Sequence, residues 1–188
     1  WQRLGSPGTW WTGVERVALA QVARNALDGQ DTAHPGLTAA AARAAAMVAA
    51  DPTGLSAGLI DELVAEGLSL EAYTEIVGVV ARLVAVDTAM RGLGHLPEPL
   101  PVPLPGAPSE QIPLGAKKRS AWIPMVGGAN PATALSGVTA ESAAQRDLHG
   151  VLYLSYEEMG DLWIEKGLTR AQIELVAART SLVNECVF

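Results

Sequence analysis

The sequence predicts an all-α fold, and three observations carry that reading. Hydroxyl residues stand ahead of runs whose apolar positions recur at helical spacing, and glycines or Asp-Pro close those runs. Only one short stretch, Val151-Leu152-Tyr153-Leu154, has strand character.

The first element starts at Thr12-Gly13-Val14-Glu15, a hydroxyl three residues ahead of a carboxylate. Val14, Val17, Ala18, Val22 and Ala26 then keep one face until Gly29. A second helix is expected from Thr38 through a run of alanines to Ala50, where Asp51-Pro52 ends it. The third spans Ser56 to Glu66 and is closed by Gly67. The fourth and longest begins after Ser69 and carries Leu70, Tyr73, Ile76, Val77, Val80, Leu83, Val84 and Met90 before Gly92 and Gly94. Its apolar positions occupy more than one stripe, which predicts a central, buried helix.

From Leu96 the character changes. Pro97, Pro99, Pro101, Pro103 and Pro105 alternate with other residues and Pro108 follows, which forbids a helix and predicts an extended strap over 97–108. Gly- and Ser-containing sequence continues to about Ala144, interrupted by Ala121-Trp122-Ile123-Pro124-Met125, an apolar patch expected to dock on a helical surface. A fifth helix is expected between Leu148 and Lys166, stopped by Gly167. The last begins at Thr169, with Gln172 as capping partner, and runs through Ile173, Val176, Ala177 and Thr180.

Composition narrows the function. Of 188 residues 49% are apolar and 18% charged, and a chain this long removes roughly 70% of its unfolded surface from water, so no disulfide or metal is needed to hold a core. Thirteen Lys and Arg against twenty Asp and Glu leave a net charge of −7, which repels phosphate backbones and anionic lipid and argues against nucleic acid and membrane partners. The most apolar runs, Thr38 to Ala50 and Ile76 to Val86, are interrupted by Arg43 and Arg82 and are too short to span a bilayer. With Trp1-Gln2-Arg3-Leu4-Gly5 at its start, the chain is expected to be cytoplasmic, with a processed or incompletely represented N-terminus.

Common sites are not written here. No Gly-rich loop ends in Gly-Lys-Ser or Gly-Lys-Thr, no Gly-x-Ser-x-Gly elbow occurs, and Gly92-Leu93-Gly94 leads into His95 and Pro97. His34, His95 and His149 are far apart and lack a second ligand at metal-binding spacing, so neither metal nor cofactor is expected. Asp61-Glu62 and Glu157-Glu158-Asp161 fit wet helix faces, and Lys117-Lys118-Arg119 is a short basic run in an acidic chain.

The segment Glu174 to Phe188 is more specific, because Glu174 stands twelve residues before Cys186, the single cysteine. It resembles the alkylhydroperoxidase D-like and carboxymuconolactone decarboxylase superfamily, whose peroxidase branch carries a Glu, eleven intervening residues, then Cys-x-x-Cys and a His. The sequence given stops where the second Cys would fall. Trp10 to Arg16, Tyr73 to Val80 and Arg91 to Gly94, followed by the strap and the 121–125 patch, resemble members that carry two such units in tandem. On that resemblance residues 1–95 form one helical unit, 96–146 a linker strap and 147–188 the first part of a second unit. Val14-Glu15-Arg16-Val17-Ala18 can be laid over Ile173-Glu174-Leu175-Val176-Ala177, but twelve residues beyond Glu15 stands Leu27, so the first unit is expected to lack redox residues.

The chemistry also follows from the residues. In one unbroken helix Glu174 and Cys186 would lie about 18 Å apart along the axis, so cooperation requires the chain to turn between them. Asn184 is expected to cap a new helix and place Cys186 in its first turn, where amide groups stabilise a thiolate. With the resemblance, catalytic roles are expected for Cys186 as nucleophile and Glu174 as proton acceptor, and the resemblance implies a thiol peroxidase that reduces organic hydroperoxides with electrons from a partner dithiol. The resemblance further implies a homo-oligomer. Two alternatives stand beside it: a lactone decarboxylase, against which Cys186 weighs, and a non-catalytic assembly module.

Overall fold

The structure is a computed structural model and describes residues 1–128 and 131–186. Within them the protein is helical: six α-helices, α1 (Gly13–Leu27), α2 (Ala39–Ala50), α3 (Ala57–Ala65), α4 (Leu70–Gly92), α5 (Thr139–Leu152) and α6 (Arg170–Val183), and no β-strand, only two isolated bridges. No helix is long and apolar enough to cross a membrane, and no group of three or more His, Cys, Asp or Glu is placed to hold a metal, among the described residues.

The helix starts follow from local chemistry. Thr12 accepts from the Glu15 N–H while the Glu15 carboxylate accepts from the Thr12 N–H at 2.8 Å, a reciprocal capping box. Thr38, Ser56 and Ser69 each accept the N–H three residues on, at 3.2, 3.2 and 3.1 Å. Gln172 closes the equivalent bond to the Thr169 N–H at 2.9 Å at the start of α6.

The chain divides into two compact units, Trp1–Gln145 and Arg146–Phe188. In the first, α1, α2 and α4 pack on one another. The buried face of α2 is built from Ala40, Ala41, Ala44, Ala45 and Ala49, whose small side chains let Leu19, Val22, Ile76, Val79, Val80 and Leu83 of α1 and α4 fill the interior. Leu4, on a 3-10 turn over Gln2–Gly5, and Ile60 and Leu63 of α3 complete this core.

The strap over 97–108 has no regular secondary structure, as the prolines require, and belongs to the first unit. It is tied to the N-terminal segment: the Leu104 N–H donates to the Gly5 carbonyl at 2.8 Å and the Trp1 indole N–H to the Pro99 carbonyl at 2.9 Å. Arg24 of α1 clamps the buried Asp87 carboxylate of α4 through two bonds of 2.9 and 2.8 Å and reaches the Glu98 carbonyl at 3.0 Å. In the 121–125 patch Ile123 packs on the core and Met125 is buried, while Trp122 faces solvent.

Three expectations are corrected. The fifth helix lies over Thr139–Leu152, not between Leu148 and Lys166, because Ser155 and Glu158 start a separate turn. The Ser155 N–H donates to the Glu158 carboxylate at 2.7 Å and the Glu158 N–H to the Ser155 hydroxyl at 3.2 Å. Val151-Leu152-Tyr153-Leu154, the one strand-like stretch, is the end of α5 and the turn after it: the Tyr153 N–H still reaches the His149 carbonyl, and His149 Nδ1 lies 2.6 Å from the Leu154 carbonyl. Asn184 terminates α6 instead of opening a helix, as described next.

Candidate functional site

In the second unit Glu174 lies within α6 and Cys186 just beyond its end. Helix α6 is continuous to Val183, nine residues beyond Glu174 and hence about 13 Å along the axis, so the chain turns only after the helix has carried it away. Asn184 is its C-cap, with the side-chain amide donating to the Thr180 carbonyl at 2.8 Å. Glu185 takes a left-handed φ of 55°, and the N–H groups of Glu185 and Cys186 return to the carbonyls of Leu182 and Ser181 at 3.3 and 2.9 Å, the two bonds of a Schellman closure. Cys186 is a free, exposed thiol at the carbonyl end of α6, the negative end of its dipole. Val187 and Phe188, where a following helix was expected to continue, lie outside the described residues.

Glu174 is committed to neighbours of its own unit. Arg170, one turn earlier, donates to its carboxylate at 2.7 Å, and the Tyr153 hydroxyl donates at 2.8 Å. Arg170 also reaches the carbonyls of Glu158, Met159 and Asp161, which fastens the 158–161 turn to α6. Burial, then the hydrogen bond and charge of Glu174, push the Tyr153 phenol up from its ordinary value, with Arg170 opposing. No hydrogen bond joins Glu174 to Cys186 among the described residues.

The most concentrated chemistry sits in the first unit, at residues to which the sequence reading assigned no role. Arg16 of α1 is almost fully buried and forks between two carboxylates: one terminal nitrogen pairs closely with Glu75 of α4, the other with Glu141 of α5 at 2.8 Å. Arg82, two turns beyond Glu75 on α4, pairs with the second oxygen of Glu141 at 2.5 Å. Glu75 also accepts the backbone N–H groups of Thr9 and Trp10 at 2.9 and 2.6 Å, which pins the N-terminal segment over α4. All four side chains are buried.

Close backbone approach makes this possible. A Cβ on Gly8 would stand 1.7 Å from a Glu75 carboxylate oxygen, and one on Gly78 would stand 2.7–2.8 Å from the Glu141 carboxylate and its stem. Burial raises the Glu75 pKa above the ordinary carboxylate value; the Arg16 charge and the Trp10 N–H pull it back, and Glu141 pushes it up again. Burial lowers the Arg82 pKa, the like charges of Arg16 and Arg3 act the same way, and Glu141 opposes them.

A cleft of about 120 Å³ opens beside this cluster, with Arg3, Arg16, Arg82 and Glu141 among its lining. The signal that could have found it was in the sequence: Glu75 and Arg82 are charges seven residues apart, on one face of a helix apolar on more than one stripe, and a charge that cannot reach water needs a partner.

Fold and sites together define an all-α protein of two helical units, the first built around a buried ion cluster and the second carrying an exposed thiol. No protein-family model, no curated protein and no solved structure matches the chain.

Proposed function

We propose that the chain belongs to a thiol-dependent oxidoreductase of the alkylhydroperoxidase D-like type, in which the first unit is a structural copy without redox residues and Cys186 of the second is the peroxide-reacting thiol. The observation that carries this reading is the free, exposed Cys186 immediately after the helix that holds Glu174, at the spacing of the resemblance. The thiolate sulfur attacks the outer peroxide oxygen, the O–O bond breaks, and the products are a sulfenic acid and an alcohol. A second thiol then displaces hydroxide to give a disulfide, which an external dithiol reduces. A proton-accepting role for Glu174 requires the last turns of α6 to unwind and return the thiol toward the carboxylate, because the intact helix separates them.

The test is exposure of the protein to cumene hydroperoxide with a 1,3-diketone that traps sulfenic acids, read by mass spectrometry. The expected result is a single adduct at Cys186, absent in Cys186→Ser, and formed about 10² to 10⁴ more slowly in Glu174→Gln if the carboxylate takes the proton. A wild-type thiol that is alkylated by iodoacetamide but not oxidised by the hydroperoxide defeats the reading.

A second reading, a helical assembly module, is favoured by one observation: Leu162, Trp163, Leu175, Val176, Leu182 and Val183 are all exposed on the second unit. An apolar surface of this kind calls for cover, and a homo-oligomer would supply it. Light scattering at micromolar concentration tests that reading; a monomer removes it.

A further inference from the structure

Glu174 is held in an asymmetric way. Arg170 Nε and Nη2 form the edge of a guanidinium that ordinarily spans both oxygens of a carboxylate, yet both lie 2.7 Å from the single atom Glu174 Oε1. The Tyr153 hydroxyl donates to that same oxygen at 2.8 Å, whereas Oε2 receives no hydrogen bond among the described residues. The third donor comes from outside α6. Tyr153 follows the end of α5, where its N–H reaches the His149 carbonyl and its ring meets the His149 imidazole edge to face at 5.3 Å, so the phenol arrives at Glu174 in a fixed orientation.

This third donor changes what the carboxylate can do. Left with Arg170 alone, Glu174 would turn until the guanidinium edge took both oxygens, and accepting a proton would then break a charge-assisted bond. With Tyr153 and Arg170 gathered on Oε1, the other oxygen takes a proton without losing a partner, and the side chain remains open to solvent. Tyr153 also lines, together with Ile173, Ala177 and Ser181, a groove of about 570 Å³ beside α6, and the Ser181 carbonyl accepts the Cys186 N–H at 2.9 Å. The groove thus leads from the turn that carries the thiol to the hydroxyl that holds Glu174. We propose that Tyr153 is a positioning residue, whose hydroxyl fixes Glu174 so that Oε2 stays free as the atom that takes the Cys186 proton. The proposal rests on the thiol peroxidase reading and deepens it. The thiol proton passes to Oε2, the thiolate attacks the outer peroxide oxygen, and the O–O bond breaks to leave Cys186 as a sulfenic acid. The departing alkoxide then takes the proton from Oε2 to become the alcohol, which returns Glu174 to its starting form.

The experiment measures the rate of the trapped Cys186 adduct with cumene hydroperoxide in the intact chain, for wild type, Tyr153→Phe, Glu174→Gln and the double variant. Tyr153→Phe removes only the hydroxyl and keeps the ring beside His149; it is expected to slow the adduct about tenfold. In the double variant it adds nothing to Glu174→Gln, because it acts through that carboxylate. A second readout needs no peroxide. Burial, then the hydrogen bond and charge of Glu174, push the Tyr153 phenol up, so its titration followed by tyrosine ¹³C NMR should move down in Glu174→Gln. A Tyr153→Phe rate equal to wild type, a double variant slower than Glu174→Gln, or a phenol titration unmoved by Glu174→Gln overturns this proposal alone. A wild-type thiol that the hydroperoxide leaves untouched, or an adduct rate unchanged in Glu174→Gln, removes the underlying reading and this proposal with it.

Discussion

The two units use the same helix-starting chemistry and reach different degrees of closure. Thr12 with Glu15 opens α1 and Thr169 with Gln172 opens α6, yet the first unit buries a continuous core of α1, α2 and α4, whereas Leu154 and Ile173 are the only buried hydrophobic residues described in the second. The difference shows that capping and periodicity place a helix but do not close a core. Closure requires apolar faces from several helices to meet, and among its described residues the second unit has one full helix, the end of another and connecting turns. The polar chemistry divides in the same way. Arg16, Glu75, Arg82 and Glu141 are removed from water, while Glu174 is 44% exposed in its pair with Arg170.

The sharpest way to break this contrast is to open the buried cluster. Glu141→Ala leaves both Arg16 and Arg82 without that carboxylate and is expected to cost about 3–5 kcal/mol in denaturant unfolding of the first unit, against about 0–1 kcal/mol for Glu174→Ala, whose carboxylate remains open to solvent. Gly8→Ala pushes a methyl group into the Glu75 carboxylate and is expected to cost about 1–3 kcal/mol.

The two caps sharpen the comparison at lower amplitude. Thr12→Ala should lower stability by about 1 kcal/mol in a cooperative transition of the first unit, while Thr169→Ala should release amide exchange in α6 alone. Equal effects on both units would show that they unfold together.

The smallest effect concerns pH. Burial raises the Glu75 pKa in the folded state, so the folded chain holds that proton more tightly than the unfolded chain. The resulting stability is fully present below the ordinary carboxylate pKa and is lost as pH rises through the raised value. The difference in stability between wild type and Glu75→Gln, measured by urea unfolding from pH 4 upward, should therefore shift against the wild type as pH rises. A flat difference would show that Arg16 and the Trp10 N–H fully offset burial.

The elements at which the sequence reading failed did so for two different physical reasons. The 148–166 expectation missed α5 because its start at Thr139 lies in Gly- and Ser-containing sequence with weak periodicity. What fixes that turn is distant: Glu141 is held by Arg82, 59 positions earlier, and by Arg16, 125 positions earlier. Asn184 is compatible with either end of a helix. Continuous hydrogen bonding through Val183 and the left-handed Glu185 decide that it closes α6.

What the sequence by itself determined is therefore local: the all-α class, the starts at Thr12, Thr38, Ser56, Ser69 and Thr169, and the irregular strap of alternating prolines. Each of these depends on side chains within a few residues of the backbone groups they satisfy. Only the tertiary structure decided how the buried charges pair. A buried guanidinium is tolerable where carboxylates converge on it from other helices, and no local pattern around Arg16 or Arg82 records that Glu75 and Glu141 arrive there.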